Sequence, residues 1–458
     1  MLADSYKYSH ASQYPKEMTV MFDYMESRGG VYPATIFFGL SYYLKNYFAK
    51  PIEAWEVEKA AKKAKMHGVP FDYDGWMYIV NELGGKLPVE IRAVDEGTLV
   101  PVKNILMSIK STDPRVPWVA GWLETILMKV WYPTTIATKS YYVKKMLMKY
   151  GPAEWAQFAF HNFGDRGSTS VEAAMIGGAA HLTQFMGTDN FNALDFIEEM
   201  YGEEVSGYSV FATEHSSTTS HLKEGEEEFV YRQLVENPTL GIMSFVGDSY
   251  DIYNFTDFVT NPEGRIRKLL DSRPEQKFVI RPDSGDPLVV IPKMLEIMAK
   301  NGVDYEVDSN DNVLFKGYGI LWGDGITPET IEEILSTITG HDYYYSAMNF
   351  VFGSGGDLMQ NVNRDTQKFA IKCSSISLPE GSKIVTRDVY KDPITDPGKK
   401  SKKGEMTLYH NKVTGEYITG PVGVFTGGFT DVLNLVFKDG VIMRDFTFDE
   451  VRANSAKS

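Results

Sequence analysis

Seven times between residues 155 and 360, an apolar run stops at glycine or a polar residue and a helical pattern follows. Phe158-Ala-Phe160 stops at His161, Gln184-Phe-Met186 at Gly187-Thr-Asp189, and Tyr208 to Ala212 at Glu214-His215-Ser216. Gly241 to Val246 stops at Gly247-Asp248-Ser249, and Lys277 to Ile280 at Arg281-Pro-Asp283-Ser-Gly285. Tyr318 to Trp322 stops at Gly323-Asp324-Gly325, and Met348 to Phe352 at Gly353-Ser-Gly-Gly356. Short, fully apolar runs of this kind read as strands buried on both faces of a parallel sheet. Successive ends lie roughly 26 to 41 residues apart, the length of one strand-helix unit in a (β/α) barrel. The intervening helices carry their own signals. Thr327 caps one, with Pro328 at its first position and Gly340 beyond its end. Pro287 to Lys300 is amphipathic, and Val171 to Phe185 is rich in small residues for close packing. The repeat is architectural, with no repeated sequence.

The flanks read differently. Leu87 to Ala93 alternates as a half-buried strand, Val100 to Ile109 reads as its partner, and Asp95-Glu-Gly97 turns between them. Phe37 to Phe48 places Tyr42, Tyr43 and Tyr47 at helical spacing, a packing face. Trp118 to Trp131 reads as one buried helix stopped by Pro133. In the tail, Leu433 to Phe437 and Val441 to Phe446 flank Asp439-Gly440, a two-residue hairpin turn. Met406 to Tyr409 and Tyr417 to Thr419 flank another turn, and Lys391 to Gly404 is a loop. The expected architecture is α/β. An irregular barrel spans residues 151–374, and an α+β domain of antiparallel strands is formed by both termini, 1–150 with 375–458.

In such a barrel all strand C-termini share one face, where active sites sit. His161, Arg166, Asp189, His215, Asp248, Arg281, Asp283, Asp324 and two glycine-rich turns are thereby expected in one funnel. Any one of them reads equally well as a local cap or salt bridge; the ensemble does not. His215 is open to the roles of base, nucleophile, metal ligand or hydrogen-bonded core histidine. Gly353-Ser-Gly-Gly356 and Gly323-Asp-Gly325 expose backbone N–H groups suited to phosphate, and Arg166 and Arg281 add cations that fork onto phosphate oxygens. Lys391, Lys399, Lys400, Lys402 and Lys403 are further candidates, the last three reading more simply as a solvated loop. Carboxylates among cations suit Mg²⁺ held largely through substrate phosphates, with no direct ligand assigned.

The net charge of -15 argues against a nucleic-acid binder, which would usually show a basic face. A single cysteine, Cys373, rules out an internal disulfide and a cysteine-cluster zinc site and suits the cytoplasm. No apolar run has transmembrane length, and Met1 to Lys7 has no secretory h-region. The expectation is a soluble cytoplasmic protein with no membrane contact.

Asp4-Ser-Tyr-Lys7 with His10, His161-Asn-Phe-Gly-Asp-Arg-Gly167, Gly187-Thr-Asp189, Glu214-His-Ser216, Asp248-Ser-Tyr-Asp251, Arg281-Pro-Asp-Ser-Gly285, Gly323-Asp-Gly325, Gly353-Ser-Gly-Gly356 and Lys391-Asp-Pro393 occur in one order. Together they resemble the nicotinamide phosphoribosyltransferase family, nearly end to end and in its compact bacterial and phage-type form. The resemblance implies a homodimeric type II phosphoribosyltransferase with active sites at the subunit interface. Such an enzyme is a pentosyltransferase of NAD salvage. It joins nicotinamide to phosphoribosyl pyrophosphate, giving nicotinamide mononucleotide and pyrophosphate, with Mg²⁺ and with ATP as co-substrate.

By that resemblance, Phe163 and the partner's Tyr6 would sandwich the pyridine ring, and Asp189 would accept from the carboxamide. Arg281 would sit near amide and ribose, and Asp283 would hold ribose hydroxyls. Gly323, Asp324, Gly355 and Gly356 would cradle the 5′-phosphate. Arg166, Lys391, Lys399 and the partner's Arg364 would neutralise phosphates. His215 would be the histidine that ATP phosphorylates, oriented by Asp248. Three departures stand out. Asp165 replaces a usual tyrosine, Asn162 a usual aspartate, and Asp357 follows the glycine turn where a further glycine is common. The rivals are a nicotinate phosphoribosyltransferase of the same fold and a non-catalytic nucleotide-binding dimer.

Overall fold

A computed structural model describes residues 1–340, 342–395, 400–424 and 427–457. The chain forms two compact units. One comprises Ser140–Leu194 and Val205–Asn361; the other comprises Met1–Lys139, Asp195–Glu204 and Val362–Ser458.

The first unit is built on a six-stranded sheet. Its order is Phe160–Asn162, Phe350–Ser354, Tyr318–Trp322, Lys277–Arg281, Ile242–Val246, Phe211–Ala212, and every neighbouring pair is parallel. Gly187 and Thr188 link its two edges, Thr188 bridging Asn162 and Gly187 bridging Tyr208, both parallel. The sheet therefore curls until its edges meet, and spatial order follows chain order, as in a (β/α) barrel. Helices follow the strands where local chemistry starts them. Asp286 caps Pro287–Lys300 through Leu288 N–H, and Thr327 caps Pro328–Ile338 through Thr330 N–H, with proline at the start of both. Ser170 caps Val171–Leu182, where Gly178 lies so close to Ala193 and Asn190 that a Cβ would fall 2.6 Å from each.

Two expected strands shrink. Gln184 to Met186 leaves the end of a helix, and only Gly187 and Thr188 pair. The run Tyr208 to Ala212 keeps two strand residues, and Tyr208 is half exposed. It is the outermost strand, paired over two residues with Met243 and Ser244, so its apolar side chains are not enclosed on both faces.

In the second unit both termini contribute to one seven-stranded sheet. Its order is Lys383–Asp388, Phe369–Glu380, Val20–Ser27, Ile105–Ser111, Val89–Ala93, Asn434–Lys438, Val441–Ile442. Val20–Ser27 is antiparallel to both Phe369–Glu380 and Ile105–Ser111. The turn Asp439-Gly440 has positive φ at both residues, 47° and 81°, the two-residue hairpin geometry expected. Val100 to Ile109 is not one strand. Lys103 takes φ 69°, so Leu99–Pro101 pairs with Ala34–Ile36 while Ile105–Ser111 joins the main sheet. Pro133 does not stop a helix either. Trp118 to Val130 is a series of short turns, and Pro133 lies in the first turn of Trp131–Leu147, where a missing N–H costs nothing.

Asp23, on the interior strand Val20–Ser27 of that sheet, is buried, and among the described residues its Oδ1 has no hydrogen-bond partner. Burial pushes its carboxyl up to about 7; Lys7 opposes and Glu124 adds to the rise. The folded state therefore holds this proton more tightly than the unfolded chain. Its contribution is most favourable below the unfolded value of 3.8, declines as pH rises towards 7, and is lost above. Asp23→Asn should raise stability at pH 8 by about 2–4 kcal/mol while changing it little at pH 4. Urea unfolding at the two pH values measures the difference.

Candidate active site

Because the strands are parallel, their C-terminal ends deliver Asn162, Arg281, Trp322 and Ser354 to one face, and the segments just beyond carry the chemistry. Asp248, two residues past Val246, is buried and central. Its Oδ1 faces His215 Nε2 at 3.0 Å. Its Oδ2 accepts from Asp283 N–H at 3.0 Å and from the Ser284 hydroxyl. One carboxylate thus fixes the imidazole and the start of the Asp283 loop, leaving His215 Nδ1 free of it. His215 opens a short helix capped by Glu214, and its side chain is half exposed.

Asp283 lies among Arg281, Asp248, His215 and Asp324. Burial pushes its carboxyl up, Arg281 opposes, and Asp248 adds to the rise. Arg281 donates to Thr213 C=O at 2.8 Å, which aims the guanidinium across the barrel mouth. Asp189 accepts from the Ser209 hydroxyl at 2.6 Å and is exposed to the mouth. His161 lies nearby, its imidazole pushed down by burial and only partly restored by Asp189.

Phe163 forms the floor. Its N–H donates to Ser354 C=O at 2.9 Å, and its ring covers Gly353 so closely that a Cβ there would sit 2.0 Å from Cε2. A Cβ at Gly323 would lie 3.6 Å from the same ring atom and 3.4 Å from Asp283 Oδ1. Gly355 starts the helix Gly356–Gln360, and a Cβ at Gly356 would meet nothing within 4 Å, leaving an open, N–H-lined corner beside Phe163. Asp324, at the adjacent strand end, keeps its backbone fixed by Trp322 Nε1–H at 2.8 Å.

The departures have local explanations. Asn162 is buried, and its Oδ1 accepts Gly164 N–H at 2.7 Å, pinning the Phe163 loop; its Nδ2 has no partner. Asp165 accepts from Asn192 at 2.6 Å, and Asp357 from Asn361 at 2.7 Å. Among the described residues no three His, Cys, Asp or Glu side chains form a metal-holding group.

The residue pattern matches the model of the nicotinate phosphoribosyltransferase (NAPRTase) family over residues 158–440. The chain belongs to that family. Residues 1–91 match the N-terminal domain of nicotinamide phosphoribosyltransferase. The chain is 41% identical to a nicotinamide phosphoribosyltransferase of Xanthomonas campestris pv. campestris (strain 8004), covering 99% of this chain and 97% of that one. It is 30% identical to one of Mycoplasma pneumoniae, covering 89% and 94%. In fold it is similar to a nicotinate-nucleotide pyrophosphorylase of Pyrococcus furiosus, with TM-score 0.62 at 14% identity, over 99% of this chain and 93% of that one. Human nicotinic acid phosphoribosyltransferase is similar at TM-score 0.55 and 15% identity, over 100% and 93%.

The phosphoribosyltransferase barrel thus gathers Phe163, Asp189, His215, Asp248, Arg281, Asp283, Gly323, Asp324, Gly355 and Gly356 in one unit, with the exposed Arg166 on the Phe163 loop. Tyr6, Arg364 and Lys391 belong to the other unit, and Lys399 lies outside the described residues. Tyr6 is half exposed and meets His10 edge-on, while Arg364 pairs with Asp365 at 3.2 Å. Three loop lysines are held by carboxylates: Lys400 by Asp392, Lys402 by the buried Glu26, and Lys403 by Asp388. Ser209, Thr213 and Ser284 carry no signal in the sequence, yet they hydrogen-bond to Asp189, Arg281 and Asp248.

Proposed function

We propose that this chain transfers the phosphoribosyl group of phosphoribosyl pyrophosphate to nicotinamide, releasing pyrophosphate. The observation that carries the choice of base is Asp189, a carboxylate at the barrel mouth oriented by Ser209. An anion there accepts from a carboxamide N–H and repels a nicotinate carboxylate. Phe163 offers one flat face to the pyridine ring, and the partner subunit's Tyr6 would supply the other in a homodimer. Asp283 holds ribose hydroxyls, and the backbone N–H groups at Gly323, Gly355 and Gly356, beside Asp324, receive the 5′-phosphate. Arg166, Lys391 and the partner subunit's Arg364 balance phosphate charge. The glycosidic carbon passes through a loose, cation-like state, so the residues act by alignment and charge stabilisation. Mg²⁺ would be held chiefly on the pyrophosphate, with Asp283 and Asp324 the carboxylates that could assist; when bound it would neutralise the leaving group. Turnover of nicotinamide and nicotinate with phosphoribosyl pyrophosphate and Mg²⁺ tests the reading, and a preference for nicotinate would overturn it. Absence of any nucleotide product would favour a non-catalytic binding dimer.

ATP enters through His215. Nδ1 attacks the γ-phosphorus, a P–N bond forms, the bond to the β-bridging oxygen breaks, and ADP leaves. Asp248, on Nε2, stabilises the charge that the imidazole gains. His215→Ala should reduce the ratio of rates with and without ATP to about one, a change of roughly tenfold if the coupling is worth about 1.4 kcal/mol. Equal ATP stimulation in variant and wild type would remove His215 from this role.

A further inference from the structure

Gly187-Thr188, which joins the two edges of the barrel sheet, is also the stem that carries Asp189. Asn162 lies between the ends of this stem. Its N–H donates to Gly187 C=O at 3.3 Å, and its C=O accepts Asp189 N–H at 3.0 Å. The place of Gly187 therefore sets both the Asp189 carboxylate and the start of the Phe163 loop. Gly187 is gripped from two sides. Against its Cα lies the His161 ring, so close that a Cβ would fall 2.6 Å from Cε1 and 2.7 Å from Nδ1 and Nε2. Against its carbonyl lies His181, with Nε2 at 3.3 Å.

His181 is fully buried, at the end of the helix Val171–Leu182. Its ring stacks on Phe185, 4.9 Å between centroids, and meets Phe160 edge-on at 5.6 Å. Its Nδ1 faces the Oγ of Ser140, also fully buried, at 3.2 Å. Burial pushes the imidazole down to about 3; the Gly187 carbonyl opposes, His161 adds to the fall, and the Phe160 carbonyl opposes. Near neutral pH the ring is therefore uncharged and carries one proton. A carbonyl oxygen only accepts, so that proton sits on Nε2, and Nδ1 accepts from the Ser140 hydroxyl. Ser140 thus fixes the tautomer, and the tautomer fixes the hold on Gly187. Packing alone does not call for this pair, since apolar groups of the same shape can replace two bonded polar partners at little cost.

We propose that His181 is a positioning residue of the base site: its Nε2–H, aimed by Ser140, holds Gly187 C=O and so fixes the strand end that presents Asp189 to the base. The inference rests on the reading that Asp189 meets the carboxamide.

Variants at the two positions separate hydrogen bonding from packing. His181→Phe keeps a ring against Phe185 and loses both bonds. It should raise KM for nicotinamide about 10-fold while leaving KM for phosphoribosyl pyrophosphate within about twofold of wild type. His181→Gln, whose amide N–H reaches the place of Nε2–H, should bring KM for nicotinamide back to within about threefold of wild type. Ser140→Ala keeps the imidazole and frees its tautomer, so it should raise KM for nicotinamide about threefold; it carries the test if His181→Phe does not fold, which a thermal melt reports. Wild-type KM for nicotinamide in the folded variants, equal rises for both substrates, or a Gln variant as impaired as the Phe variant would each overturn the proposal. Asp189→Asn, measured alongside, tells two failures apart. An unchanged KM in His181→Phe beside a raised one in Asp189→Asn overturns the positioning role alone. An unchanged KM in Asp189→Asn overturns the role of Asp189 and this proposal with it.

Discussion

Gly353→Ala is expected to cut kcat/KM for the base by about 100-fold or more while leaving a folded protein. The added methyl would lie 2.0 Å from Cε2, 2.2 Å from Cδ2 and 2.8 Å from Cζ of Phe163, closer than non-bonded carbon atoms approach. The backbone at 353 cannot retreat, because it is registered against His161 in the sheet. The ring must therefore leave. Phe163 is also tied by its N–H to Ser354 C=O, and its loop by Asn162 to Gly164 N–H, so a tilted ring drags the phosphate corner with it. Overpacking of this kind costs about 1–3 kcal/mol of stability, which a chain of this size survives. The catalytic penalty is larger, because a shift of about 1 Å in a positioned group is worth about 100-fold. Steady-state kinetics with a thermal melt separate the two effects. A variant with normal kcat/KM would show that the ring does not form the floor of the base site. Gly323 is the control: its nearest ring atom would be 3.6 Å away, so Gly323→Ala should disturb Phe163 far less.

The contrast between what local sequence dictates and what only packing decides runs through the whole molecule. Pro287–Lys300, Pro328–Ile338 and Tyr318–Trp322 appear where their caps and apolar runs place them, because a capping hydroxyl or carboxylate and a proline act within four residues. The strand ends that carry His215, Asp248 and Asp283 were legible for the same reason: the change from apolar to polar is itself the signal. Tyr208 to Ala212 looked like a central strand, but whether a strand is covered on both faces depends on neighbours far along the chain. Pro133 is ambiguous in the sequence because proline ends one helix and starts another with equal ease. Ser209, Thr213 and Ser284 gave no signal. A hydroxyl or carbonyl becomes significant through its partner, and these partners lie 20, 68 and 36 residues away.

Asp189→Asn should lower the ratio of kcat/KM for nicotinamide over nicotinate by about 100-fold or more. The substitution keeps shape, and the amide oxygen can still accept from Ser209, which now donates to Asp189 at 2.6 Å. What changes is charge. Two carboxylates about 4 Å apart repel by about 4 kcal/mol at an effective dielectric of 20, a factor of about 1,000 against nicotinate. Exposure of Asp189 at the mouth lets solvent screen part of this, so a relief of about 100-fold is the expected share. Nicotinamide loses as well, since its N–H then donates to a neutral oxygen rather than to an anion, a difference of about 1 kcal/mol. Both changes move the ratio in one direction. Kinetics of both bases in wild type and Asp189→Asn decide the matter, and Ser209→Ala supplies an independent check. Without the hydroxyl the carboxylate keeps its charge and loses its aim, so Ser209→Ala should slow nicotinamide turnover while nicotinate stays excluded. If Asp189→Asn leaves the ratio unchanged, base selection does not reside in the charge of Asp189, and the choice between the two bases would have to come from the Arg281 side of the mouth.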